Sequence, residues 1–302
     1  MKALYEEIDR LKRQRDAVIL AHYYVPDEVQ AAADYIGDSY YLAKVARSCT
    51  QSTIVFCGVH FMGESAKLLN PGKTVLMPDP EADCPMAHMV EESLIAGYRQ
   101  QYPNLAVVCY INSTARTKAL SDVCVTSANA VRIVQRLPNE HIFFIPDGNL
   151  GAYVQQQAPE KHILLNSGYC PRHAFLTPDE VKKQKAAHPQ AQVLAHPECG
   201  AEVLALADYI GSTSGIIGCA EKSAAQEFII CTEEGVGYEL RRRCPGKRFY
   251  FASRLLLCSN MKRNTLEKLL DCLETGSGEI QVDSATRAAA LAPLERMLEL
   301  AK

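Results

Sequence analysis

The sequence predicts an α/β protein built from three homologous small α/β domains, each a parallel four-stranded sheet with flanking helices, set around a pseudo-threefold axis. Three observations lead there. Apolar runs ending in polar residues recur as VILAHYY (Val18 to Tyr24), VVCYINS (Val107 to Ser113) and VLAHPEC (Val193 to Cys199). Behind them stands a second matched set, ADYIGDS, SDVCVTS and ADYIGST, each leading into a helical stretch. A third set, TIVFCG, IFFIPD and EFIICT, precedes a fourth that reaches a cysteine in every copy: KTVLMPDPEADC, KHILLNSGYC and KRFYFASRLLLC.

The chain opens on MKALYEEIDRLKRQR, where Leu4, Ile8 and Leu11 fall at helical spacing among charges, the pattern of an amphipathic helix rather than a secretory leader. Each repeat then reads strand, helix, strand, helix, strand, helix, strand. Continuous short apolar runs are the mark of parallel strands buried on both faces. A spacing of about 86 to 88 residues is too long for a solenoid unit and suits a small domain. The expected domains are residues 1–85 with 260–302, 86–171 and 172–259, the N-terminal helix and the segment beyond Asn260 both packing on the first. Ligands of open parallel sheets sit beyond the carboxyl ends of the strands, so three such edges facing one point would form one shared site.

A formal net charge of -3 with mixed signs offers no basic surface for nucleic acid and no polybasic stretch for an anionic membrane. No apolar run approaches the roughly 20 residues that span a bilayer. The expectation is a soluble cytoplasmic protein with a small-molecule ligand. Its 12 cysteines include no CxxC pair. Any metal site therefore gathers ligands from distant parts of the chain, and a reducing compartment argues against a disulfide framework.

Aligning the repeats sorts these residues into columns. From His22, Tyr110 and His196, a step of 2 reaches Tyr24, Asn112 and Glu198, and a step of 17 reaches Ser39, Ser127 and Thr213. Cys84, Cys170 and Cys258 lie 62, 60 and 62 residues beyond the same starts and form the one column that is cysteine throughout, with the three thiols expected to end equivalent strands. Cys57 and Cys231 share a column with Ile145; Cys124 aligns with Ile36 and Ile210, and Cys109 with Ala21 and Ala195. Those are core positions, where cysteine serves as a small hydrophobe. Cys49, Cys199, Cys219, Cys244 and Cys272 have no cysteine counterparts.

Three thiolates leave an open coordination position, on zinc with a bound water or on a 4Fe-4S cluster with one iron lacking a protein ligand. Either is a Lewis acid able to hold substrate oxygens or help hydroxide leave. Ser39, Ser127 and Thr213 fall where strands pass into helices, at expected N-cap positions. One such residue is an ordinary cap; three equivalent ones form an anion-binding ring for a polyanionic substrate. His22, His196, Glu198, Tyr24 and Tyr110 supply acid–base groups. His173, close behind Cys170, is expected to organise the surroundings of the metal, and His60, His88, His141, His162 and His188 to be surface or structural.

With these residues in place, the sequence resembles the quinolinate synthase family along essentially its whole length. The segments that carry the resemblance are AHYYVPDEVQAAADYIGDS, GVHFMGESAKLLNP, DCPM, YINSTARTKALSDVCVTSANA, PDGNLG, GYCPRH, HPEC, GSTSG and CSNMK. It implies an enzyme of NAD biosynthesis that condenses iminoaspartate with dihydroxyacetone phosphate, losing phosphate and two waters. By the same resemblance, Cys84, Cys170 and Cys258 hold a 4Fe-4S cluster, one from each domain. Tyr24 is implied in proton transfer during phosphate loss and isomerisation, and Glu198 with His196 in the later deprotonation and dehydration. Tyr110 and Asn112 orient the intermediate, and His22 binds a carboxylate. Iminoaspartate is short-lived in water, which implies supply by an aspartate-oxidising enzyme in transient contact. Tyr23 stands where many members carry asparagine, and the CxxCxxC run some members have at the last ligand is replaced by Cys258 alone. Two other readings of the same residues are a 4Fe-4S hydro-lyase acting on another polycarboxylate and a non-catalytic iron–sulfur sensor.

Overall fold

The structure is a computed structural model that describes residues 2–302. After α1 (Lys2–Gln14) the first repeat runs β1 (Ala17–His22), α2 (Asp27–Ala32), β2 (Tyr35–Gly37), α3 (Ser39–Ser48), β3 (Thr53–Cys57), α4 (His60–Leu69) and β4 (Thr74–Leu76). Helix α5 (Glu92–Gln101) leads into β5 (Ala106–Tyr110), α6 (Ala115–Ala119), β6 (Val123–Val125), α7 (Ala130–Arg136), β7 (His141–Ile145), α8 (Gly148–Gln157) and β8 (His162–Leu165). Helices α9 (Pro171–Ala174) and α10 (Pro178–Ala187) precede the third repeat. It comprises β9 (Gln192–Ala195), α11 (Ala201–Leu204), β10 (Tyr209–Ile210), α12 (Thr213–Lys222), β11 (Glu227–Cys231), α13 (Gly237–Arg243) and β12 (Arg248–Phe251), followed by α14 (Leu266–Thr275) and α15 (Ser284–Leu300).

The three sheets are parallel, four-stranded and identical in order: β2-β1-β3-β4, β6-β5-β7-β8 and β10-β9-β11-β12. Their registers agree as well. Ala21 pairs with Cys57, Cys109 with Ile145, and Ala195 with Cys231, so the residue before each of His22, Tyr110 and His196 faces the last residue of the third strand. Every residue of β1, β3 and β5 is buried, as helix-covered parallel strands require. The aspartate of each ADYIG segment has a common task. Asp34 Oδ2 accepts from Ile19 N at 2.9 Å and Asp208 Oδ2 from Val193 N at 2.7 Å, tying the start of the short edge strand to the central one.

Two expectations about the repeat need correction. The columnar cysteines do not end strands: Cys84, Cys170 and Cys258 lie eight, five and seven residues past Leu76, Leu165 and Phe251, in the loops that follow. Nor are Ser39, Ser127 and Thr213 helix caps. Asp38 caps α3 by accepting from Tyr41 N, and Ser212 caps α12 by accepting from Gly215 N, which leaves Ser39 and Thr213 as first helical residues. Ser127 sits in the turn before Asn129, the N-cap of α7. The reason is that the better acceptor, a side chain one residue earlier, already takes the free amides of α3 and α12.

By compactness the chain forms two units, residues 1–88, 111–124 and 259–302 in one and residues 89–110 and 125–258 in the other. In the first, α1 packs on β1 and α14, and α15 packs on α4 and α6. The tail is tied down by charge, because buried Asp79 accepts from Arg263 Nε at 2.9 Å and from Lys268 Nζ at 2.7 Å. It also covers the free edge of β4. Met77 N donates to Gly278 O and Ile280 N to Val75 O, at 2.9 and 2.8 Å. Gly278 has φ +77°, and a Cβ there would meet the Met77 carbonyl oxygen, so glycine is required. In the second unit, the third sheet buries Val193, Ala195, Ile229 and Cys231 against Val181 and Val203 of its helices. No helix among the described residues is long and apolar enough to cross a membrane.

Candidate active site

In the second unit the polar residues at the strand ends form one connected network. Glu198 N donates to Nδ1 of His196 at 3.3 Å, a turn that follows from placing Glu198 three residues beyond the end of β9 and two beyond His196. An amide can only donate, so Nδ1 is the bare nitrogen and the ring proton sits on Nε2, which lies 3.1 Å from Ser127 Oγ. Burial holds the His196 pKa down, to about 4, against the attraction of Glu198, and the ring is neutral. On the other side, His173 places Nδ1 2.7 Å from Glu198 Oε2 and 3.2 Å from Cys170 Sγ, while its Nε2 meets Thr232 Oγ1 at 2.9 Å.

Glu198 is only 3 % exposed, and burial alone would push its carboxyl up. Hydrogen bonds from His173 and Tyr110 hold it below the ordinary carboxylate range instead. With Nδ1 of His196 already occupied by an amide proton, the donors that keep Glu198 ionised are His173 and the Tyr110 hydroxyl. Cys170 Sγ, His173 and Glu198 present ligand atoms within 4.8 Å of one another, a set able to hold a metal ion. Thr213 is buried at the start of α12, and Cys258 is half-buried.

The first unit holds His22, Tyr24, Ser39, Cys84 and Asn112. Tyr24 N donates to Nδ1 of His22 at 3.2 Å, the same turn as at Glu198, and the two rings meet edge to face with centroids 4.5 Å apart. Lys262 Nζ donates to the Tyr24 carbonyl at 2.8 Å. Ser39 lines a small pocket with Phe61, Met62 and Ser65. Asn112 Oδ1 is buried with no hydrogen-bond partner among the described residues.

No disulfide joins the cysteines of the described residues. Burial pushes the thiols of Cys231 and Cys272 up to about 12, and those of Cys57 and Cys199 also upward, which makes them inert core atoms. Cys84, Cys170 and Cys258 are half-buried, like Cys49 and Cys219. Of the histidines expected to be surface or structural, His141 stacks on Tyr102 and His188 on Tyr250.

Among the buried charged groups that sequence reasoning missed are Asp147, Glu233 and Lys118. Asp147 is fully buried, with burial and the nearby charge of Glu198 pushing its carboxyl up against amide donors from Leu150, Cys170 and Asn149. Glu233 is buried in the corresponding place of the third repeat. A signal for both existed in the column Val59, Asp147, Glu233, two residues past the third strand of each repeat. Lys118, also fully buried, donates to the Ser113 carbonyl and lies 5.4 Å from the Phe61 ring centroid. Nothing in its surroundings in the sequence marks it.

Comparison with known proteins joins this geometry to a family. The family model described as Quinolinate synthetase A protein matches residues 6–299. The chain belongs to this family. A quinolinate synthase of Fusobacterium nucleatum subsp. nucleatum is 52% identical over 296 residues, 98% of this chain and 99% of the relative. Those of Caldicellulosiruptor saccharolyticus and Clostridioides difficile are each 48% identical, covering 99% and 100% of this chain and 99% of each relative. As a quinolinate synthetase A family member the chain is an enzyme, and the strand-end columns are the first place to seek its catalytic groups.

Proposed function

We propose that the chain is a cytoplasmic enzyme of NAD biosynthesis that condenses iminoaspartate with dihydroxyacetone phosphate to quinolinate, releasing phosphate and two waters. The observation that carries this reading is a buried Glu198 whose amide meets His196 and whose carboxylate meets His173, a histidine that touches Cys170. In the same reading the three repeats are three domains, residues 1–85 with 260–302, 86–171 and 172–259, around a pseudo-threefold axis. Cys84, Cys170 and Cys258 are the ligands of a 4Fe-4S cluster. The donor set fits that group, since three half-buried thiols in equivalent loops are soft ligands. When bound, the cluster supplies a Lewis-acidic iron for a carboxylate or hydroxyl oxygen.

The reaction needs no net oxidation, so the chain's own work is to bind anions and move protons. Nδ1 of His22 accepts an amide proton, which puts the ring proton on Nε2 as a donor for a substrate carboxylate. Tyr24 transfers a proton during phosphate loss and isomerisation. Asn112 uses its unpartnered Oδ1 to hold an N–H or O–H of the intermediate, alongside Tyr110. Glu198 removes a proton in the later steps; a substrate bearing two carboxylates raises its pKa by like-charge repulsion, toward the range of a working base. His196 offers the Nε2–H that now rests against Ser127 as a hydrogen-bond donor to a departing hydroxyl, keeping its proton. Ser39, Ser127 and Thr213 give hydroxyl donors to substrate oxygens. An aspartate-oxidising enzyme in transient contact supplies the short-lived iminoaspartate.

The test is an anaerobic assay of the iron- and sulfide-reconstituted protein for quinolinate, with and without dihydroxyacetone phosphate. Formation that depends on this co-substrate and disappears in Cys258→Ala supports the reading. A protein that dehydrates another polycarboxylate without it is a hydro-lyase, and one that turns over nothing is a sensor.

A further inference from the structure

The two buried carboxylates Asp147 and Glu233 do the same thing in their repeats. Asp147 caps α8, with Oδ1 accepting from Leu150 N at 2.8 Å, and its Oδ2 accepts from Cys170 N at 3.2 Å. Glu233 accepts from Gly235 N through Oε2 at 2.6 Å, and from Cys258 N through Oε1 at 3.0 Å. Each carboxylate therefore bridges the start of the helix after the third strand and the amide of the columnar cysteine of that repeat. Both are almost fully shielded from water, where a lost acceptor is not replaced by solvent.

The first repeat reaches the same end by other means. Val59 occupies the equivalent cap and has no side chain to offer. There the junction is tied by a backbone bond from His60 N to Ala82 O at 2.7 Å, and the Cys84 amide is taken by Asp83 Oδ1 at 2.7 Å. All three cysteine amides thus end on a carboxylate, two of them on a residue far away in sequence.

Resting on the assignment of these cysteines as ligands, we propose that Asp147 and Glu233 are positioning residues that fix the Cys170 and Cys258 loops in ligand geometry before iron and sulfide arrive. The chemistry asks for a carboxylate in particular. A carboxamide of the same shape has one acceptor oxygen, and its NH2 cannot receive an amide proton, so Asp147→Asn and Glu233→Gln keep one bond and set N–H against N–H at the other. Asp83 gives the Cys84 amide only one oxygen, and Asp83→Asn can keep that bond.

Two measurements decide it. In the reconstituted holoprotein, iron release to a chelator, followed by loss of the cluster's visible absorbance, is expected to be about tenfold or more faster in Asp147→Asn and Glu233→Gln, the usual scale for groups that orient metal ligands. Asp83→Asn should stay within about twofold of the parent, on the same scale. In the cluster-free chain, amide hydrogen exchange is expected to speed up at Cys170 only in Asp147→Asn and at Cys258 only in Glu233→Gln. A general loss of stability does not give that crossed pattern. Unchanged exchange at both cysteines overturns the proposal, as do parental rates of iron release in both variants. If the parent takes up no iron and sulfide, the ligand assignment fails, while the exchange data still judge the carboxylate ties. Should Asp147→Asn not fold, Glu233→Gln carries both measurements alone.

Discussion

At the end of β1 the amide of Tyr24 donates to Nδ1 of His22, and at the end of β9 the amide of Glu198 donates to Nδ1 of His196, at 3.2 and 3.3 Å. The backbone is one and the same, and it presents an imidazole in the same tautomer at two sheet edges. The chemistry two residues further differs: a phenol in the first repeat, an ionised carboxylate in the third. Their surroundings differ in kind too. Tyr24 has its carbonyl held by Lys262 from the C-terminal tail, whereas Glu198 has its carboxylate held by His173, beside a columnar cysteine. The repeat supplies one geometry, and single residues in the columns differ in their chemistry.

The largest effect should come from the carboxylate end. Glu198→Gln keeps the shape and loses the charge, and turnover to quinolinate is expected to fall by about 10²- to 10⁴-fold with cluster content intact. If Glu198 acts late and Tyr24 early, Glu198→Gln should still release inorganic phosphate, while Tyr24→Phe should release neither phosphate nor quinolinate. Equal phosphate release by both variants would erase the distinction between the two ends.

Asn112 occupies the same column in the second repeat, and its unpartnered Oδ1 implies a cost in the resting protein. Asn112→Ala should raise KM by about tenfold, the loss of one good hydrogen bond. Its stability in urea should be unchanged or higher by ~1 kcal/mol, because a buried orphan acceptor is removed.

The tail separates the first repeat from the third, and Asp79 is its anchor. Burial opposes ionisation of Asp79, yet the hydrogen bonds from Lys268 and Arg263 lower its pKa below the ordinary 3.8. A lowered folded pKa contributes stability above that ordinary value and loses it as pH falls through the folded one. Asp79→Asn should therefore cost roughly 1–2 kcal/mol at pH 7, measured by urea unfolding, and the gap to the parent should close in acid below the ordinary value. No such change is expected at the third repeat.

Much of this was legible because the chain repeats. The columns holding His22, Tyr110 and His196 are confirmed by the pairing of Ala21, Cys109 and Ala195 with the last residue of the third strand. Core cysteines were separable from candidate ligands because Ile145, Ile36 and alanines stand in for them. The helix caps were not legible. Asp38 and Ser212 stand directly before Ser39 and Thr213, and only the direction of a hydrogen bond tells which of two adjacent polar residues is the cap. Asp147 and Glu233 escaped for a related reason: Val59 breaks their column, and a carboxylate next to apolar strands reads as a surface cap until its second oxygen is seen on a cysteine amide.

The most direct test of the columnar reading is iron and acid-labile sulfide content after anaerobic reconstitution of five single variants. Cys84→Ala, Cys170→Ala and Cys258→Ala are predicted to lose the cluster and quinolinate formation together. Cys57→Ala and Cys231→Ala should hold it at the parent level, at a stability cost of about 1–2 kcal/mol. Full cluster and full activity in any one of the first three would contradict the account.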